Sequence, residues 1–464
     1  MLDFGEGRPR LESFDPWNGE KLGSVSCTSD EHLNLALDAA WNRWLEPSNI
    51  QERCAIAANA AEMIERNFEA LVELLIRETG KPVTFAKGEV RRMVHTFRLA
   101  SRLGSAQTFQ SLDVSYDERA AAYSVGYSRF PVGPIAGFVP YNWPFNLAAH
   151  KIAPAYVAGC PVVLKASPLA PLCTFFLAQL LHEAGIEERW LKVVHLSNEQ
   201  AQRWVQDPRI QMLSFTGSAK VGWMLKTSVP KKKTVLELGG NAPVIICPDA
   251  DVLHAVSKCV TSGYGYAGQV CISAQNVFAH ASIYDDVRSK LIEATQNRPT
   301  GDPREPSTVC GPLIDRQTAQ KVRQKIESAV ASGAKVIAKA EGTFPETVVE
   351  PTLIEGADLE SEIVCEEVFG PVLTLHPYES LNDLCGFLND GKYRLQASVF
   401  TNDKSAATEV FSSLRYGGIV HNDSPSVRFD SMPYGGEGDS GFGREGVEFA
   451  LEEMCELRAW ISAR

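Results

Sequence analysis

The sequence has 464 residues, 44% hydrophobic and 22% charged, with 57 acidic against 45 basic side chains and a formal charge of −12. That length suggests about three domains and a core that needs no staples, while the acidic balance excludes a general binder of phosphate backbones. No run approaches the ~18 consecutive apolar residues of a membrane span. The eleven cysteines (27, 54, 160, 173, 247, 259, 271, 310, 365, 385 and 455) form no CxxC pair, and the nine histidines are dispersed, so no metal site is expected. An odd count of thiols, and an N-terminus without a basic region followed by an apolar one, fit a reducing, cytoplasmic setting.

In chain order, SDEHLNLALDAAWNRW opens on a capping Ser29 and spaces apolar residues three and four apart, so it reads as a helix. The same period returns in CAIAANAAEMIERNFEALVELLIRETG, which Gly80 and Pro82 terminate. AAAYSVGYSRFPVG, from residue 120, alternates and reads as a strand or hairpin. Beyond it short apolar strands alternate with helices: PIAGFVP with FNLAAHKIAPAYVAG, PVVLKAS with PLCTFFLAQLLHEAG, and QMLSFTG with SAKVGWMLKTSV. Lys231-Lys232-Lys233 reads as a solvated turn. A second such block runs from TVLELGG to about residue 440, with helices DVLHAVSKCVTSGYGY and RQTAQKVRQKIESAVASG and strands NVFAH, PVLTLH and ASVF. LRAWIS reads as a final strand. This alternation predicts α/β architecture with parallel, doubly wound sheets.

Several residues along this frame could carry chemistry, and each also has a bland reading. The turn FTGSAKVG, with Gly217 and Ser218 between strand and helix, places N–H groups and a positive dipole end where a pyrophosphate could sit. It is not GxGxxG, and a plain strand-to-helix turn explains it equally. Lys165, at the carboxyl end of VVLK, points to the crevice where parallel sheets bind ligands, or is merely solvated. Asn142 in VPYNWPFN could donate to an oxyanion or simply shape a turn. Glu237 in VLELGG is a carboxylate among apolar residues, which suits a general base with a raised pKa unless it faces solvent. Cys271, in GYGYAGQVCIS, is either buried filler or a presented nucleophile.

Taken in order, Asn142, Lys165, the FTGS turn, Glu237, Cys271, CEEVFGPV with Glu367 and Phe369, and PYGGEGDSGFGREG resemble the aldehyde dehydrogenase superfamily from DPWNGE to LRAWIS. The resemblance implies an aldehyde dehydrogenase-like fold: a Rossmann-type cofactor domain (1–112 and 132–238), an α/β catalytic domain (239–440), and a small β oligomerisation extension with the tail (113–131 and 441–464). It implies that Cys271 attacks the aldehyde to give a thiohemiacetal, that Asn142 stabilises the oxyanion, and that Glu237 activates the water that hydrolyses the thioester after hydride transfer. Lys165, Ser167, Gly217, Ser218, Glu367 and Phe369 match cofactor-binding positions for NAD or NADP. Coenzyme-A-acylating members generally lack the glutamate, so Glu237 implies the carboxylate-forming branch. Glu445, in GREG, matches an acidic residue sometimes given a proton-relay role.

One departure is Pro168, where NAD-preferring members often carry a ribose-binding glutamate; losing that carboxylate leaves NADP open as well as NAD, with Lys165 and Ser167 near a 2′-phosphate. Trp143, His150, Val270, Ile272, Arg428 and Tyr434 match the aldehyde tunnel. His150 and Arg428 are polar for that location and hint at a small hydroxylated or anionic aldehyde, although a structural histidine explains His150 equally. No arginine directly precedes Cys271, which argues against a phosphorylated substrate. A homodimer or homotetramer is implied, with no nucleic-acid or membrane partner. The rival reading is a cysteine hydrolase pairing Cys271 with His254 or His280; it leaves FTGSAKVG and EEVFGPV unexplained. A non-catalytic family member would usually have lost the nucleophile or the base.

Overall fold

Two parallel sheets carry the molecule, described by a computed structural model over residues 2–4 (backbone), 9–104 and 109–463. Met1, residues 5–8 and 105–108, and Arg464, which the expected first and last segments include, lie outside the described residues. The first sheet has six strands in the order Gly441–Phe442, Lys233–Glu237, Met212–Thr216, Ile135–Phe138, Val162–Lys165 and Leu191–Val194. All pair in parallel except Gly441–Phe442, which runs antiparallel beside Lys233–Glu237. From Ile135–Phe138 the chain winds one way to Val162 and Leu191, then returns to the other side for Met212 and Lys233. The strand order therefore reverses beside Phe138 and Phe215, the place where doubly wound sheets open a ligand crevice.

The second sheet has seven strands, Lys335–Lys339, Thr352–Glu355, Val372–Tyr378, Asn276–His280, Pro243–Ile246, Gln396–Phe400 and Gly418–His421, of which only the first runs antiparallel. Strands such as VVLK, PVII and QASVF are buried along their whole length, as expected for sheets covered on both faces. A separate three-stranded sheet pairs Cys455–Ala463 with Tyr123–Pro131 and the short Gln110–Ser111. The segment 441–464, expected as extension and tail, therefore divides. Gly441–Phe442 joins the first sheet, the helix Val447–Glu453 buries Val447, Ala450 and Leu451 in that domain's core, and only Cys455–Ala463 reaches the extension. The apolar face of FALEEMC decides this, since an exposed tail would leave it wet.

Helix starts are built with unusual care near the crevice. Pro144–Ala158 is buried at every position, begins with a proline and has no side-chain cap of its own. Glu89, on the helix Val83–Gly104, supplies the missing cap by accepting from the N–H groups of Phe145 (2.8 Å) and Asn146 (3.1 Å). Glu78 does the same for Pro171–Glu183, accepting from Leu172 and Cys173 at 2.7 Å each. A carboxylate at a helix N-terminus satisfies orphan donors and opposes the dipole's positive end. No helix among the described residues is long and apolar enough to cross a membrane.

Candidate active site

The helix Val252–Tyr264 runs into a tight turn, Gly265–Gly268, before Cys271. Tyr266, Ala267 and Gly268 all take left-handed backbone angles, with φ of 51°, 52° and 68°. For the two non-glycine residues that conformation costs about 1–2 kcal/mol each. The turn is held by its surroundings: the Tyr266 N–H donates to Val309 O (3.0 Å), and the buried Gln269 amide accepts from Ile314 N (3.0 Å) and donates to Pro312 O (3.3 Å). A Cβ at Gly268 would meet Gly370 O at 2.2 Å, so no side chain is tolerated there. This geometry turns the chain so that Cys271 faces a cavity of about 180 Å³ instead of the core.

Six of the lining residues define its chemistry: Arg92, Asn142, Trp143, Cys271, Arg428 and Tyr434. The Cys271 Sγ lies 3.0 Å from Tyr434 Oη. Burial pushes the Cys271 thiol up to about 11, against the opposing hydrogen bond from Tyr434. Asn142 shares the cavity and donates from Nδ2 to Gln269 O (2.9 Å), while its own carbonyl accepts from Lys81 Nζ (2.6 Å). Lys81 is fully buried, pairs with Glu89, and lies 3.8 Å from the centre of the Trp143 ring. One ammonium thus fixes Asn142, Trp143 and the carboxylate that caps the next helix.

Glu237 ends its strand buried, with neither carboxylate oxygen hydrogen-bonded. Burial, reinforced by the charge of Glu445, holds its carboxyl well above the usual range. Glu445 has the opposite fate in nearly the same place. Burial alone would raise it, but Lys151 Nζ at 3.0 Å and the Arg428 guanidinium at 3.3 Å outweigh that and hold it at about 2. Two neighbouring carboxyls are thus pushed in opposite directions, Glu237 up and Glu445 down.

Trp143, Val270, Ile272, Arg428 and Tyr434 line the cavity. His150, expected beside them, does not: it is fully buried, its Nε2 lies 2.8 Å from Asp430 Oδ1, and burial lowers its pKa. It sits one helical turn past Asn146, so its side chain enters the helix's packed interior, where Asp430 gathers His150, Asn146 Nδ2 (3.1 Å) and Arg92 (2.7 Å). Arg92 was invisible to sequence reasoning, because an arginine on the amphipathic helix Val83–Gly104 reads as solvated. Lys81, Lys151 and Asp430 were missed for the same reason, each being brought in by tertiary contact alone.

The cofactor candidates gather along the carboxyl ends of the first sheet and the facing loop. Lys165 is 9% exposed and pairs in register with Phe138 and Val194, and its ammonium has no hydrogen-bond or ion-pair partner among the described residues. His195, next to Val194, is also buried, and its Nδ1 has no partner. Burial lowers the pKa of both, and in His195 the neighbouring Lys165 charge adds to it. Ser167 accepts from Leu169 N (3.2 Å). Ser218 begins the helix Ala219–Ser228 without bonding its N–H groups, and Gly217 N donates to Glu237 O (3.0 Å). Glu367 accepts from Gly240 N (3.1 Å), and burial raises its carboxyl to about 7. Phe369, at φ 52°, meets the Tyr141 ring edge-on at 6.1 Å. Orphaned basic groups beside an uncapped helix N-terminus fit the phosphates of a dinucleotide.

Comparison with known proteins places the chain in a family. The chain matches the aldehyde dehydrogenase family over residues 4–460. It is 32% identical over 455 residues to the 3-sulfolactaldehyde dehydrogenase of Priestia aryabhattai, covering 97% of this chain and 94% of the relative. Among solved structures it is similar to aldehyde dehydrogenase 21 from Physcomitrella patens in complex with the reaction product succinate (TM-score 0.93, 32% identity, 98% and 95% covered). It is also similar to the NADP-complexed glyceraldehyde-3-phosphate dehydrogenase of Methanocaldococcus jannaschii (TM-score 0.93, 30% identity, 99% and 100% covered).

Proposed function

The chain belongs to the aldehyde dehydrogenase family, and within it we propose that the enzyme oxidises a small aldehyde bearing an anionic tail, a carboxylate or a sulfonate. The reaction is NAD(P)-dependent oxidation of an aldehyde to a carboxylic acid, through a cysteine thiohemiacetal, hydride transfer and thioester hydrolysis. The observation that carries the substrate reading is that Arg92 and Arg428 both line the cavity holding Cys271. Three basic side chains, Arg92, Arg428 and Lys151, meet two paired carboxylates, Asp430 and Glu445, while Glu237 is held above the usual carboxylate range. A guanidinium with donors to spare in a desolvated site favours a planar or tetrahedral oxyanion. Some relatives are named for acidic compounds (3-sulfolactaldehyde, succinate, glyceraldehyde-3-phosphate) and others for the uncharged lactaldehyde or the cationic betaine aldehyde, so the reading rests on the two arginines.

In this reading Cys271 attacks the aldehyde carbon and Asn142 receives the oxyanion. Glu237, once deprotonated, removes a proton from the water that hydrolyses the thioester. The nicotinamide cofactor, when bound, supplies the hydride acceptor; Lys165, Ser167, Gly217, Ser218, Glu367 and Phe369 would hold it. Pro168 offers no carboxylate to repel a 2′-phosphate, and the Lys165 ammonium with the unpartnered His195 Nδ1 beside it offers a charge and a polar atom for one, so the proposed preference is NADP. Leu457, Trp460 and Ile461 stand about two-thirds exposed along Cys455–Ala463, which supports a homodimer or homotetramer, acting in the cytoplasm. The test measures kcat/KM by the absorbance of reduced nicotinamide for succinate semialdehyde and for a neutral aldehyde of equal length, with each cofactor. A preference of about tenfold or more for the anionic aldehyde is expected; equal values would sink the substrate reading.

A further inference from the structure

Tyr434 is the one side chain among the described residues that makes a hydrogen bond to the Cys271 sulfur, at 3.0 Å. Three contacts fix it there. Its N–H donates to Glu445 O (3.0 Å), its carbonyl accepts from Glu445 N (2.6 Å), and the Arg428 guanidinium carbon lies 3.6 Å from its ring centre. The phenol's own proton is secure, because burial, with the adjacent thiol charge adding to it, holds its pKa well above the ordinary value. A protonated hydroxyl beside a sulfur that must become an anion is a donor, not an acceptor. The other titratable groups that face Cys271 are Glu367 and Glu237, which disfavour a thiolate when ionised, and Arg428, which favours it without touching the sulfur.

We propose that Tyr434 is a further catalytic residue, whose hydroxyl donates a hydrogen bond to the Cys271 sulfur and stabilises the thiolate. The thiol proton leaves to solvent; the sulfur electron pair then forms the S–C bond while the carbonyl pair moves to oxygen. When the thioester is hydrolysed, the C–S bond breaks and its pair returns to the sulfur, where the same hydroxyl receives the anion. Tyr434 shares its proton at both steps and transfers it at neither. Through its backbone pairing with Glu445, it also ties the nucleophile to the carboxyl whose pKa is held down near Glu237.

This rests on Cys271 being the nucleophile and on nothing about the aldehyde or cofactor, so the test uses neither. Iodoacetamide alkylation of the folded protein is followed across a pH series on the peptide containing Cys271, for the native chain and for Tyr434→Phe, which keeps the ring and its guanidinium contact. The midpoint is expected to rise by about one pH unit in the variant, with alkylation below the midpoint slowed roughly tenfold. Coincident midpoints, or a shift toward acid, would overturn the proposal. If the Cys271 peptide is no more reactive than those of the buried thiols, the assignment of the nucleophile fails first, and Tyr434 falls with it.

Discussion

The two walls of the crevice treat charge in opposite ways. Around Cys271, arginines are matched: Arg92 with Asp430, and Arg428 with Glu445, which Lys151 also holds. At the ends of the first sheet, Lys165 and His195 lie side by side with no carboxylate to answer them. Burial lowers the pKa of both, so each is held toward its uncharged form until an anion favours the charged one. The charged groups around Cys271 are already engaged with one another, whereas the Lys165 ammonium and His195 Nδ1 have no partner among the described residues. Glu237 is the exception near Cys271, its oxygens unpaired and its carboxyl held above the usual range by burial.

That contrast can be broken experimentally. Cys271→Ala should abolish aldehyde oxidation by roughly four orders of magnitude or more while leaving cofactor binding intact; retained turnover would remove Cys271 from its role. Glu237→Gln should slow steady-state turnover about 10²–10³-fold, with a burst of reduced cofactor and an acyl-enzyme visible by mass. In the native enzyme the base must be deprotonated, and its folded pKa is raised. Thioester hydrolysis should therefore rise as pH increases through that elevated value and fall below it; a pH-independent hydrolysis rate contradicts the assignment. Arg92→Met should lower kcat/KM about tenfold for the anionic aldehyde only, since Asp430 keeps His150 and Asn146 as partners. The smallest effect is expected on the other wall. His195→Ala should weaken NADP binding by about fivefold, measured by calorimetry, and leave NAD binding unchanged; equal losses for both would place His195 outside the phosphate pocket.

The same division explains what the sequence made legible. Cys271, Asn142 and the FTGS turn were each ambiguous alone, and it was their order along the chain that singled them out; the structure puts Cys271 and Asn142 on one cavity and leaves the helix after FTGS without a side-chain cap. Arg92 and Lys81 were not readable, since a helix pattern records which face is apolar but not which distant loop that face will meet. His150 misled for a related reason: in FNLAAHKIA every position is buried, so polarity gave no sign of direction. The left-handed turn was equally hidden, as Tyr266 and Ala267 are not residue types that announce positive φ. Only Gly268 hinted at it.

The late position of Gly441–Phe442 has a consequence for how the enzyme is made. That strand lies against Leu236 and Glu237, Leu238 N donates to Ser440 O (3.0 Å), and Tyr434 and Glu445 flank it in sequence. A chain emerging from the ribosome therefore presents Cys271 long before it can enclose Glu237 or set a phenol beside the sulfur. A chain that ends near residue 430 lacks the sixth strand of the first sheet, and with it the Tyr434 hydroxyl beside Cys271 and the Glu445 carboxylate near Glu237.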